Sequence, residues 1–275
     1  MNDFQESLTS LEDLSFWIGV QADLVQGPGG NTSYKNENEM WVKASGTQLR
    51  DAKVREIFAR VSRQPPFNQI SPPTLKPSIE VFLHGNCPSK YVAHTHSVGA
   101  MALSFRSDVQ FIISNLSQIM QISLVPYGRP GIELERNISQ NVDYTNHEAA
   151  ILVNHGLLVW GESAKEVKSK IEKIEKALRD WKFLGFGSEG EFNRNQIRKI
   201  NGKFLTPDHA VFLEDTTELE KPEKYGTDWI TDLIEALRAS LRLIPSNVAI
   251  NFIPNGEVLE LQKWESEIAR KRSNS

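Results

Sequence analysis

The chain has 275 residues, is 39% hydrophobic and 24% charged, and carries a net charge of −4, the profile of a folded globular protein of one large or two modest domains. Both signs of charge are intermixed, so no basic footprint for nucleic acid is present. Cys87 is the single cysteine, which excludes an intrachain disulfide and a thiolate metal cluster. The first residues lack a basic-then-apolar leader and no apolar run approaches the roughly 20 residues that span a bilayer, so the expectation is a soluble, cytoplasmic protein without a membrane partner.

In chain order, Ser10 is placed to cap a helix running to about Ile18, with Leu11, Leu14 and Ile18 on one face. Gly27-Pro28-Gly29-Gly30-Asn31-Thr32-Ser33 reads as a loop, and Met40-Trp41-Val42-Lys43 as a short strand ending in Ala44-Ser45-Gly46. Asp51 is read as the cap of a second helix carrying Val54, Ile57, Phe58 and Val61. Five prolines between Pro65 and Pro77 make an irregular loop. Ser78 then reads as the N-cap of a helix with Ile79, Phe82 and Leu83 on its apolar face, stopped by Gly85-Asn86 and Pro88. A strand follows from Tyr91 to His96, and Ser97 caps a helix to about Phe105. Residues 112–125 show no clear period, and Tyr127 to Gly131 is a loop.

The clearest helix runs from Glu162 to Leu184, with Ala164, Val167, Ile171, Ile174, Leu178 and Trp181 at steps of three and four. Residues 185–203 read as a loop or partly helical insertion, Ala210-Val211-Phe212-Leu213 as a strand, and 214–224 as an exposed charged stretch. A last helix begins near Thr227, with Trp229, Ile230, Leu233, Ile234 and Leu237 on its face. The alternation of strands and helices predicts an α/β domain over 1–215 and a C-terminal helical extension over 216–275 packed on it.

Three of the six histidines stand at the ends of strand-like runs, at His94-Thr95-His96 and in Asn154-His155-Gly156. Alternation along a strand puts His94 and His96 on one side, roughly 7 Å apart along the backbone. A neighbouring strand carrying His155 would complete three imidazoles around one cation with positions left open, the pattern of a catalytic metal site. Zinc suits an all-nitrogen set. Upstream, the glycine loop, Ser45-Gly46 and Ser78 offer backbone N–H groups and hydroxyls suited to an anion. Glu80 is one short helix away from the histidine strand, close enough to serve as a proton-transferring base beside a Lewis-acidic metal.

With Gly30-Asn31-Thr32-Ser33, Ser45-Gly46, Pro77-Ser78-Ile79-Glu80, His94-Thr95-His96 and His155-Gly156 in this order, the sequence resembles the class II aldolase and adducin family. That family is typified by fuculose-phosphate and rhamnulose-phosphate aldolases. Leu24-Val25-Gln26-Gly27, Trp41 to Gly46 and Leu205-Thr206-Pro207-Asp208-His209 are most similar to longer, rhamnulose-phosphate aldolase-related members. Some of those are fused to a short-chain dehydrogenase, which is not read in this chain.

The resemblance implies a three-layer α/β/α sandwich with a central mixed sheet, in a homotetramer with active sites near subunit interfaces. It implies zinc on His94, His96 and His155, a phosphate pocket from Gly30, Asn31, Ser45, Gly46 and Ser78, and Glu80 as acid/base. The implied reaction cleaves a ketose phosphate, a small-molecule substrate, to dihydroxyacetone phosphate and an aldehyde through an enediolate. A sugar-phosphate 4-epimerase, a thioribulose-phosphate dehydratase and a non-catalytic adducin-like interaction module are the alternatives. Two positions depart from the family aldolases. Ile79 stands where they often have a second serine, and the tyrosine that a neighbouring subunit contributes would fall near Asn115, leaving Tyr127 and Tyr144 as candidate second acids.

Overall fold

The computed structural model describes residues 3–116, 120–179, 200, 202–213, 218–219 and 228–263. Its strands are β1 (Asn31–Lys35), β2 (Glu39–Lys43), β3 (Phe58–Ser62), β4 (Tyr91–Thr95), β5 (Ile122–Val125), β6 (Ala149–Leu152) and β7 (Gly156–Gly161). They form one sheet in the order β3-β2-β1-β4-β7-β6-β5. β5 and β6 run parallel while every other neighbouring pair is antiparallel, so the sheet is mixed.

The helices are α1 (Asp3–Gly19), α2 (Val81–Asn86), α3 (Val98–Ser104), α4 (Val109–Leu116), α5 (Ile132–Asn141), α6 (Ala164–Arg179), α7 (Pro207–Phe212), α8 (Trp229–Arg242) and α9 (Asn255–Lys263). Period-two alternation divides the sheet's side chains between two faces. Tyr91, Ala93, Ile151, Leu157 and Val159 pack in one core with α1, α3, α4 and α6. Val92, Leu152, Leu158 and Trp160 pack on the other side with Leu83 of α2 and Leu134 and Ile138 of α5. The result is the expected three-layer α/β/α sandwich. His94 and His96 share the parity of Val92 and therefore face the α2 side.

Helices α7, α8 and α9 share a further core with Met101 of α3 and with Phe105. Asp228 caps α8 by accepting from Trp229 N at 2.6 Å, and Ser240 Oγ donates to Val98 O at 3.1 Å, which ties α8 to the start of α3. None of the described helices is long and apolar enough to cross a membrane.

Several elements differ from the sequence expectation. Helix α1 begins at Asp3 rather than at Ser10, with Asp3 and Glu6 in its first turn, where carboxylates suit the helix dipole. The region expected as a helix after Asp51 is a 3₁₀ turn, Leu49–Asp51, followed by β3. Ile57, Ala59 and Val61 are fully buried at period two, which the spacing of Ile57, Phe58 and Val61 had made look helical.

Part of the glycine loop is strand β1, hidden because Asn31, Thr32, Ser33 and Lys35 are polar yet buried. Their groups are satisfied internally: Thr32 Oγ1 meets Ser15 Oγ at 2.6 Å, and Lys35 Nζ donates to the carbonyls of His84 and Cys87 at 2.5 and 2.8 Å. Ser78 is not an N-cap. It lies in a turn, its Oγ accepting from Glu80 N at 3.2 Å, and α2 starts at Val81 with Glu80 in the cap position.

The apolar run expected as a strand at Ala210–Leu213 is α7 and its C-cap, started by Thr206 and Pro207. Within the stretch 112–125, residues 112–116 end α4 and Ile122–Val125 form β5, and α5 and α9 are helices without a counterpart in the sequence reading. Of the stretch expected to be exposed, Glu218 and Leu219 are described and are buried. The expected end of the long helix, beyond Arg179, and most of the expected insertion lie outside the described residues.

Candidate metal centre and its pocket

The register of the sheet assembles the site. Asn31 of β1 pairs with His94 of β4, and His94 with Leu158 of β7. His155 sits in the turn between β6 and β7, where Asn154 takes the left-handed conformation (φ 56°) that Asn tolerates. His94, His96 and His155 are all buried, and one ligating atom of each falls in a single cluster. His94 Nε2 is 3.1 Å from His96 Nε2 and 3.3 Å from His155 Nε2.

His94 Nδ1 faces the carbonyl of Leu157 at 3.0 Å, and His96 Nδ1 faces an Asp208 carboxylate oxygen at 2.9 Å. Both partners accept only, so both Nδ1 atoms carry a proton and the Nε2 atoms are the ones turned to the cluster. Glu80 Oε1 lies 3.3 Å from His155 Nε2 and accepts no hydrogen bond among the described residues. The three Nε2 atoms and Glu80 Oε1 thus converge on one point, which fits a cation. Nitrogens about 2.0–2.1 Å from one tetrahedral centre would stand roughly 3.3 Å apart, close to the observed separations.

Protonation states agree with that fit. Burial pushes the His155 imidazole down to about 3 against the pull of Glu80, and lowers His94 in the same way. These two imidazoles are therefore neutral, as ligation requires. For Glu80, burial opposes the charge, and the hydrogen bond from the Asn31 amide favours the ionised form. Asn31 Nδ2 donates to Glu80 Oε2 at 2.7 Å, and its Oδ1 is hydrogen-bonded to His84 Nε2. His84 Nδ1 in turn meets Ser33 Oγ at 2.7 Å. Burial brings His84 down to about 3, so it stays neutral and orients the Asn31 amide with its N–H toward Glu80.

Beside the histidines is a cavity whose lining includes all of Gly30, Asn31, Ser45, Gly46, Ser78 and Glu80, together with His96 and His155. Ser45 stands exposed at its mouth while Ser78 and Asn31 are buried. Gly30 has a structural reason as well: φ is +62°, and a β-carbon would come within 2.8 Å of His94 O. Lys43, Ile79 and Asp208 also line this cavity, and neither Tyr127 nor Tyr144 does. Lys43 is buried with Nζ donating to Pro28 O and Thr47 O at 2.8 and 2.7 Å, bringing a positive charge to the pocket. In the sequence it is one Lys at the end of a strand, and only its position two residues before Ser45-Gly46 hints at the site.

A mixed-sheet α/β/α sandwich thus carries a buried three-histidine cluster that could hold a metal ion, beside a carboxylate and a small polar pocket. Residues 16–181 match the class II aldolase and adducin N-terminal domain, and the chain belongs to that family. Family members include lyases, and the family is typically metal-dependent.

Among curated relatives, a Bacillus subtilis protein named as an uncharacterized oxidoreductase, YuxG, is 28% identical over 59% of this chain, a match that spans 28% of that protein's length. Methylthioribulose-1-phosphate dehydratase of Kluyveromyces lactis is 28% identical over 64% of this chain and 93% of that one. L-fuculose phosphate aldolase of Methanococcus maripaludis is 27% identical over 55% and 82%. The fold is shared with the N-terminal class II aldolase domain of a Thermoplasma acidophilum protein, with a TM-score of 0.55, 22% identity, and coverage of 66% of this chain and 96% of that one.

Proposed function

We propose that this protein is a divalent-metal-dependent aldehyde-lyase that cleaves a ketose phosphate to dihydroxyacetone phosphate and an aldehyde. The observation that carries the reading is the convergence of three buried imidazoles and the Glu80 carboxylate beside a cavity lined by Ser78, Lys43 and Gly46. His94, His96 and His155 would hold the ion, with zinc the first choice for nitrogen ligands. When bound, it would supply Lewis acidity toward a ketone oxygen and offset the negative charge of an enediolate.

The chain's own residues do the rest. Ser45, Ser78, the Gly46 backbone and the Lys43 charge suit a phosphate at the pocket mouth, since charge-assisted hydrogen bonds are the strong kind. Breaking the C–C bond leaves its electron pair in the enediolate and turns the departing carbon's hydroxyl into an aldehyde; Glu80 takes up that hydroxyl proton and returns it to the enediolate carbon. Asn31 aims the Glu80 carboxylate, and His84 fixes Asn31. The reading includes a cytoplasmic homotetramer whose neighbouring subunits complete the pocket.

A second reading is dehydration of a ketose phosphate from the same enediolate. It is favoured by the longer match to the dehydratase than to the aldolase, and by Ile79, which removes one phosphate hydroxyl. Zinc-loaded protein incubated with a panel of ketose phosphates tests both. Aldehyde with dihydroxyacetone phosphate is the expected outcome, a dehydrated product without C–C cleavage would replace it with the second reading, and no turnover of any member would reject both.

A further inference from the structure

The three imidazoles differ in what holds the nitrogen pointing away from the centre. For His94 it is a neutral carbonyl, Leu157 O at 3.0 Å. For His155 the Nδ1 atom has no hydrogen-bond partner among the described residues. For His96 it is a carboxylate, Asp208 Oδ2 at 2.9 Å, with both side chains less than a tenth exposed. The geometry points to Asp208 as a positioning residue of the metal centre, one that lies beyond the segment matched by the family domain. Its carboxylate accepts the Nδ1–H of His96, which fixes the tautomer, aims the Nε2 lone pair at the cluster and makes that imidazole the most electron-rich of the three. The inference rests on the metal-centre reading above.

Two independent features make Asp208 part of the site. The chain leaves room for the pair at Gly29, where a β-carbon would lie 2.8 Å from His96 Nδ1, 2.9 Å from Gln26 O and 3.0 Å from Asp208 Oδ2. Gly29 is not in the left-handed region, so close approach alone calls for glycine there. The segment around Asp208 is also held against the centre. Thr206 caps α7, accepting from His209 N at 3.1 Å, and Ala210, Val211 and Phe212 are buried behind it. Asn154, next to His155, donates to Leu205 O and Asn251 O at 2.8 and 3.0 Å. The C-terminal segment therefore grips the centre at two of its three ligands, His96 through Asp208 and His155 through Asn154.

The test is metal affinity, measured by chelator competition for Zn²⁺, with the visible spectrum of the Co²⁺-loaded protein as a second readout. Asp208→Asn is expected to weaken Zn²⁺ binding by about 10–100-fold and to alter the Co²⁺ bands, with the unfolding temperature of the metal-free protein near wild type. Asp208→Glu should recover part of the affinity. Gly29→Ala leaves the carboxylate in place but crowds the pair, and should also weaken binding. If Asp208→Asn does not fold, Gly29→Ala carries the test alone. Wild-type affinity and spectrum in Asp208→Asn, or wild-type affinity in Gly29→Ala where the other cannot be made, overturn the role of Asp208. A wild-type protein that takes up no divalent ion overturns the metal centre and this inference together, so the two failures are distinguishable.

Discussion

Glu80 occupies the cap position of α2 without capping it, because its carboxylate turns to Asn31 and the histidines rather than back to the helix amides. A decorative first-turn carboxylate would be worth a few tenths to about 1 kcal/mol and nothing to chemistry. A proton carrier is different. Glu80→Gln keeps the volume and can still bond Asn31 through its carbonyl, but it moves no proton, and such groups contribute typically about 10²–10⁴ in rate. The mutant is expected to keep its metal and to lose both cleavage and solvent hydrogen exchange into dihydroxyacetone phosphate. Exchange near the wild-type rate would remove Glu80 as the base. His94→Ala, His96→Ala and His155→Ala should each lower the bound metal well below one ion per chain while leaving the fold in place, as read by elemental analysis and circular dichroism.

The histidines and Glu80 were legible because few other chemistries call for those residue types in that order. Lys43 and Asp208 were not, since a lone Lys ending a strand and an Asp before a His look like any surface charge until the fold buries them.

Among the elements, those with a strong period were readable and those with buried polar groups were not. Helix α6 buries Val167, Ile171, Ile174 and Leu178 at the expected steps, and Ser97 caps α3 by accepting from Ala100 N at 3.1 Å. β1 could not be recognised as a strand because its side chains are satisfied by Ser15, His84 and the carbonyls closing α2, partners that only the tertiary fold supplies. The β6–β7 turn shows how tightly these strands are held. A β-carbon on Gly156 would lie 2.2 Å from Thr95 O, between the two histidine-bearing segments. Gly156→Ala must push β7 off β4, and overpacking of this kind costs about 1–3 kcal/mol or more. Urea unfolding of the metal-free mutant should show that loss together with weakened metal binding. Wild-type stability in the mutant would mean that the β4–β7 contact is far looser than described.

For the molecule as a whole, acid should be the weak side, and the groups responsible lie in separate cores. His209 is buried among the C-terminal helices, where its Nδ1 accepts from Leu205 N at 3.1 Å and burial pushes the imidazole down to about 3 despite the opposing pull of Glu218. His84, beneath the sheet, is likewise brought down to about 3 by burial. An unfolded chain takes up these protons near pH 6.5, whereas the fold refuses them until about 3. Between those limits the unfolded state binds more protons, so stability rises with pH, is fully present above about 6.5 and is lost as the pH falls. Each such histidine contributes a slope of up to about 1.4 kcal/mol per pH unit in that window. The charge balance of −4 and the amphipathic periods reveal nothing of this, because a histidine's titration depends on what the tertiary fold places around it. His209→Asn offers an acceptor in place of Nδ1 and removes the titration. Denaturant midpoints of the metal-free protein from pH 4 to 7 should therefore fall less steeply on acidification in His209→Asn than in wild type. Parallel curves would show that His209 takes up its proton while the C-terminal core is still folded.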